Sequence, residues 1–238
     1  MANVITQIYG CEKIKDAQIA VALGADHIGC AYGEVKHLGP DQKNCAEGKE
    51  FFDALPDSVV KIGLTIASDV DEIINDLSLY EPDVFHLSGD IRNISPDGVR
   101  RIKERFPNLK IMQAIPVYAG IPMEQQWPEI EDLIRTYEDT SDFFLIDTKD
   151  PNSEIGIGAT GFTHDWMIDK RIVESTNVKC IIAGGLSGAN VAEAIRIVHP
   201  YGVDSCTQTS YPKFLQEITG RVKDPVKIYE FIEAARNA

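Results

Sequence analysis

The chain has 238 residues, 44% of them hydrophobic and 25% charged, with a net charge of −14, a composition that suits a globular protein with one sizeable core. The acidic balance and the lack of a Lys/Arg run exclude a surface built for phosphate backbones, so no nucleic-acid partner is expected. No stretch approaches the ~18 apolar residues of a membrane span, and MANVITQIYG lacks the basic segment and apolar core of a signal peptide, so a cytoplasmic protein with no membrane partner is expected.

Strand-like and helix-like segments alternate along the whole chain. VITQIY reads as a strand, EKIKDAQIAVALGA as an amphipathic helix closed by glycine, and DHIGCAY as the second strand. NCAEGKEFFDAL and VVKIGLTI follow, then DVDEIINDLSLY with DVFHLS, and PDGVRRIKERF with LKIMQAIPV. WPEIEDLIRTYE precedes DFFLIDT, HDWMIDKRIVEST precedes VKCIIAGG, GANVAEAIRIVH precedes GVDSCTQ, and DPVKIYEFIEAARN closes the series. Strands apolar on both parities need cover on both faces, as in a parallel sheet between helices. Eight such units predict an α/β fold, a single (β/α)8 TIM barrel domain over residues 1–238. An open doubly wound sheet is the alternative.

The long irregular stretches GEVKHLGPDQ, YAGIPMEQQ and KDPNSEIGIGATGFT each follow a strand. That is the side on which barrels build their sites. After the seventh strand, Gly184 and Gly185 allow close backbone approach, and the next helix begins just beyond them. With Thr207 and Gln208 after the eighth strand, they form a candidate phosphate site, although glycines here also serve simple tight turns. Asp147 ends the sixth strand, where a carboxyl must find partners or carry a raised pKa, which would make it a usable general acid. Asp165 reads as the cap of the following helix. His86 and His37 are placed to reach the barrel mouth, whereas His27, His164 and His199 show no partner in sequence. Five cysteines, Cys11, Cys30, Cys45, Cys180 and Cys206, form no C-x-x-C pair, so reduced thiols and no metal are expected. Cys30 and Cys180 read as buried small hydrophobes; Cys11 and Cys206 sit at strand ends and stay open.

FLIDT with GATGFTHDW, IIAGGLSGANVAEAI, GVD and GRVKDPVKIYEFIEAAR together resemble the phosphoribosylanthranilate isomerase family, from the first strand to the last helix. The resemblance implies a cofactor-free Amadori rearrangement of an aminoaldose phosphate, used in tryptophan biosynthesis, with an aspartic acid assisting ring opening and a cysteine thiolate taking the C2 proton. Asp147 matches the acid, and Gly158, Thr160 and Gly161 fall in the family's loop after the sixth strand. The family's cysteine lies in a K-I-C-G motif, but this chain reads Gln7, Ile8, Tyr9, Gly10. Cys11, of the same strand parity, is a candidate replacement, with Tyr9 as an alternative that binds or fills. An S-P-R arginine is replaced by GEVKHLG, which offers Lys36, and S-S-G-V-E by Cys206, Thr207, Gln208, Thr209 and Ser210. Two other readings stay open, an isomerase or epimerase of a different sugar phosphate and a non-catalytic sugar-phosphate-binding barrel. The expected partner is a phosphorylated small molecule, and the expected assembly a monomer or homodimer.

Overall fold

The structure is a computed structural model that describes residues 4–39, 42–149 and 163–238. Eight parallel strands close into a barrel in chain order: β1 (Ile5–Ile8), β2 (His27–Ala31), β3 (Val60–Thr65), β4 (Val84–Leu87), β5 (Lys110–Tyr118), β6 (Phe143–Lys149), β7 (Lys179–Ile182) and β8 (Gly202–Ser205). β8 returns to β1 with Ile8 opposite Ser205, which seals the sheet. The closed alternative predicted from the pattern is therefore the one adopted, and the open sheet is excluded.

Between the strands run α1 (Ile14–Ala22), α2 (Cys45–Asp53), α3 (Val70–Leu79), α4 (Pro96–Arg105), α5 (Met123–Tyr137), α6 (Trp166–Ser175) and α7 (Val191–Val198). After β8 come α8 (Lys213–Thr219) and α9 (Pro225–Arg236). Local chemistry sets the helix starts. Asn44 and Glu47 form a reciprocal capping box for α2, Ser95 caps α4 before Pro96, and Asp224 caps α9 before Pro225.

Two departures from the sequence expectation are physical. The described residues hold nine α-helices rather than eight, because KFLQEIT forms α8 with Phe214 and Ile218 exposed, so it carries no buried stripe by which it can be read. α5 begins at Met123, ahead of the expected Trp127–Pro128 start, because Gln126 accepts from Tyr118 N at 2.9 Å and donates to Ile121 O at 2.7 Å. These bonds, and the burial of Trp127, hold the turn before the proline.

Side chains alternate across each strand, so the core divides in two. Ile62, Val84, Met112, Phe143, Leu145, Ile181 and Ala183 pack inside the barrel with Tyr9. Ile8, Ile28, Phe85, Ile111, Phe144, Ile146, Ile182 and Val203 face the helices in the larger outer layer. The last loop is tied to the first helix by Asp16, only 1% exposed, whose Oδ2 accepts from Val222 N at 2.9 Å and Lys223 N at 3.1 Å. Replacing Asp16 with Ala leaves both donors unpaired, and urea unfolding is expected to show a loss of about 3 kcal/mol.

Candidate active site

β6 carries Asp147 onto the inner face of the barrel near the C-terminal rim, opposite Pro116 of β5. The strand runs two residues past it, and Asp147 Oδ1 accepts the amide of Thr148 at 2.7 Å. Burial pushes the carboxyl up to about 6, although that amide and the nearby His164 oppose the shift. A carboxyl at this value holds a proton through mildly acidic conditions and gives it up near neutrality, as a general acid requires.

On β8 the same parity places Asp204 inside the barrel and Cys206 just past the strand end. Asp204 is 4% exposed, and its Oδ1 has no hydrogen-bond partner among the described residues. Burial and then the charge of Asp147 drive the Asp204 carboxyl well above the usual range. Two carboxyls, each with a raised proton affinity, thus lie on the inner wall of the barrel.

Tyr9 fills the interior beside them. Its ring lies over Gly29, where a Cβ would fall 2.0 Å from Cε1, and its hydroxyl shares a 2.8 Å hydrogen bond with His86 Nδ1. Burial, then the charges of Asp204 and Cys206, raise the phenol well above its ordinary value near ~10, so it stays protonated. Tyr9 therefore packs the barrel interior with its hydroxyl protonated. His86 does face the barrel interior, as expected, but burial lowers it to about 3 and keeps it neutral.

Cys11 does not share the face of Tyr9. Gly10 between them has φ +71°, which breaks the strand alternation, and Cys11 packs fully buried in the outer layer with Ile8 and Ala17. There it lines a cavity of about 190 Å³ with Glu12, Cys30 and Lys43. Burial pushes its thiol up to about 12 despite the opposing Lys223. Lys36 is on the exposed surface of the loop after β2, where His37 pairs with Glu72 in the first turn of α3 at 2.6 Å.

Gly184 and Gly185 turn the chain after β7 with φ of 83° and 64°. The first has a packing cause, since a Cβ on Gly184 would sit 2.0 Å from Thr148 Oγ1. Asn190 accepts from Ser187 N at 2.8 Å and donates to Gly185 O at 3.1 Å, which holds this turn against the start of α7. Thr207 and Gln208 lie in a single 3-10 turn after β8, so the two loops are neighbours. Gly158, Thr160 and Gly161 lie outside the described residues.

Sequence alone missed a buried chain of polar groups beneath this turn. Thr148 Oγ1 bonds His164 Nδ1 at 2.7 Å, and His164 Nε2 bonds Asp169 Oδ1 at 2.6 Å. Burial works against a charge on His164, but Asp169 outweighs it, so its pKa is raised. Asp165 caps α6 as expected, accepting from Met167 N at 2.9 Å. The only early signal was the spacing of His164 and Asp169 around that cap.

Lys223 was also missed. It is 1% exposed, and its ammonium donates to Cys206 O at 2.7 Å, Ser210 Oγ at 3.0 Å and Thr209 Oγ1 at 3.2 Å. A different cavity, about 520 Å³ and lined by Lys110, Phe143 and Lys179, opens at the opposite end of the barrel, where β5, β6 and β7 begin. It holds none of these groups, and barrel chemistry belongs to the other end. Among the described residues no three His, Cys, Asp or Glu side chains converge as a metal-binding group.

Comparison with known proteins gives one result. The family model described as N-(5'phosphoribosyl)anthranilate (PRA) isomerase matches residues 7–207. N-(5'-phosphoribosyl)anthranilate isomerase 2 of Methanosarcina mazei is 29% identical over 231 residues, 97% of this chain and 93% of the relative. The N-(5'-phosphoribosyl)anthranilate isomerase structure from Pyrococcus furiosus superposes with TM-score 0.76 at 19% identity, over 99% of this chain and all of that one. A phosphoribosyl anthranilate isomerase structure in complex with reduced 1-(o-carboxyphenylamino)-1-deoxyribulose 5-phosphate gives 0.72 at 22% identity, over 99% and 100%.

Two outcomes test this geometry. Because Asp147 has a higher pKa folded than unfolded, its ionisation destabilises the fold as pH rises from about 4 through about 6. Asp147→Asn is expected to raise the thermal midpoint by about 5 °C at pH 8 and by much less at pH 4, read by calorimetry. Gly184→Ala must push a Cβ into Thr148 at a positive φ, and is expected to cost about 2 kcal/mol or more in urea unfolding.

Proposed function

The chain belongs to the N-(5'-phosphoribosyl)anthranilate isomerase family, and we propose that it rearranges phosphoribosylanthranilate to the corresponding carboxyphenylamino-deoxyribulose phosphate. This places it in tryptophan biosynthesis, acting in the cytoplasm as a monomer or homodimer. The observation that carries the reading is Asp147, an acid with a pKa near 6 on the inner wall of the barrel mouth.

Protonated Asp147 gives its proton to the furanose ring oxygen while the anthranilate nitrogen lone pair expels that oxygen from C1. The bond from C1 to the ring oxygen breaks and a C1=N bond forms. Removal of the C2 proton then yields the enolamine, which relaxes to the ketose. The backbone around Gly184 and Gly185, with Thr207 and Gln208, is assigned to the phosphate, an arrangement supported by the adjacency of the seventh and eighth loops. Lys36 is assigned to the anthranilate carboxylate, and Gly158, Thr160 and Gly161, outside the described residues, are assigned to substrate binding on the family resemblance.

Tyr9, which stands where the family's cysteine is expected, favours a second reading, a barrel that binds a sugar phosphate without turning it over. Loss of phosphoribosylanthranilate fluorescence separates the two. The unaltered protein is expected to consume the substrate, and Asp147→Asn to lower kcat by 10² to 10⁴-fold, about the contribution of one general acid. No consumption at high enzyme concentration leaves the binding reading.

A further inference from the structure

The reaction needs a base for C2, and the phenol of Tyr9 and the thiol of Cys11 are both placed against that task. Cys206 is not. It follows β8, the strand paired to β1, and the amide of Tyr9 donates to Ser205 O at 3.2 Å, so Cys206 stands beside Tyr9 across the β1–β8 seam. Its sulfur lies 2.9 Å from the point a Cβ on Gly10 would occupy. Gly10 is the residue that follows the cysteine in the family's K-I-C-G motif. With the Tyr9 ring turned over Gly29, Cys206 puts a thiol at the edge of this position from the neighbouring strand.

Three further observations converge there. Cys206 is partly exposed, whereas Cys11, Cys30, Cys45 and Cys180 are buried. Asp204, two residues earlier on the same face, is more than nine-tenths buried with Oδ1 unpartnered, a polar group directed at the same interior. The Lys223 ammonium sits against this turn, donating to the backbone oxygen of Cys206 at 2.7 Å, and its charge opposes the burial that raises the thiol's pKa overall. We infer that Cys206 is the general base of this barrel, its thiolate taking the C2 proton in place of a first-strand cysteine; the inference rests on the proposed isomerase reading.

The cycle balances. After ring opening, Asp147 is a carboxylate and the substrate a protonated Schiff base. The Cys206 thiolate takes the proton from C2, the C–H electron pair forms C1=C2, and the C=N pair returns to nitrogen and neutralises it. The enol hydroxyl then gives its proton to Asp147 as the ketone forms, and the Cys206 thiol gives its proton to C1. Both groups end as they began.

Groups from every neighbouring element bear on the sulfur. Burial raises its pKa, Lys223 before α9 opposes this, and Asp204 of β8, Asp147 of β6 and Glu12 after β1 raise it further. Between the two pKa values the pair holds one proton, and turnover uses the arrangement with that proton on Asp147. The lower limb of the pH profile of kcat/KM is therefore that of Asp147, near 6, and the upper one that of the thiol.

The test compares the unaltered protein, Cys206→Ser and Cys11→Ser with phosphoribosylanthranilate, with circular dichroism to confirm folding. Cys206→Ser is expected to lose 10² to 10⁴-fold in kcat with KM within about threefold, a loss at least tenfold greater than that of Cys11→Ser. Iodoacetamide is expected to inactivate the unaltered protein by alkylating Cys206, and substrate to slow it. A Cys206→Ser rate within threefold of the unaltered protein, or a greater loss in Cys11→Ser, overturns the inference and leaves the isomerase reading standing. An inactive unaltered protein overturns both.

Discussion

A closed parallel barrel gives each strand one inward face, and that constraint puts acid groups where water is scarce. Phe143 and Leu145 of β6 point into the same interior as Asp147, and Asp204 of β8 follows the same rule. Neither carboxyl can turn away without breaking the register that closes the sheet. Their raised proton affinities are thus a cost imposed by the fold. The same alternation sends Ile146 and Thr148 to the outer side, where Thr148 meets His164 beneath the Gly184 turn.

The closing seam depends on a second set of buried charges. Asp16 holds the backbone of Val222 and Lys223, and the Lys223 side chain then holds the turn after β8 by three hydrogen bonds. An ammonium buried this deeply needs such partners. The chain of bonds from α1 to the last loop to the turn after β8 holds the Cys206 backbone beside the β1–β8 seam.

Much of this was legible in the sequence. Strands apolar on both parities and helices with one apolar stripe define the barrel because both patterns report burial directly. Asp147 stood out as one carboxyl at the end of a buried strand. What stayed hidden depended on backbone direction or on contacts distant in sequence. The Cys11 expectation assumed that β1 keeps its alternation past Ile8, and the left-handed Gly10 removes that assumption. His164 and Asp169 meet only once the loop enters α6, and Lys223 reaches Cys206 across 17 residues. The pattern that exposes Cys206, its parity with Asp204, was present in GVDSC but meant little before β8 was seen to close on β1.

The central claim is that the barrel mouth holds a carboxyl poised near neutrality by burial. Its most direct test is a pH titration of the Asp147 carboxyl carbon by NMR in the folded protein, with Asp147→Asn identifying the signal. The account predicts a midpoint near 6, about two units above an ordinary aspartate. A midpoint near 4 would contradict it, since an acid ionised at that pH has no proton to give the ring oxygen at neutrality.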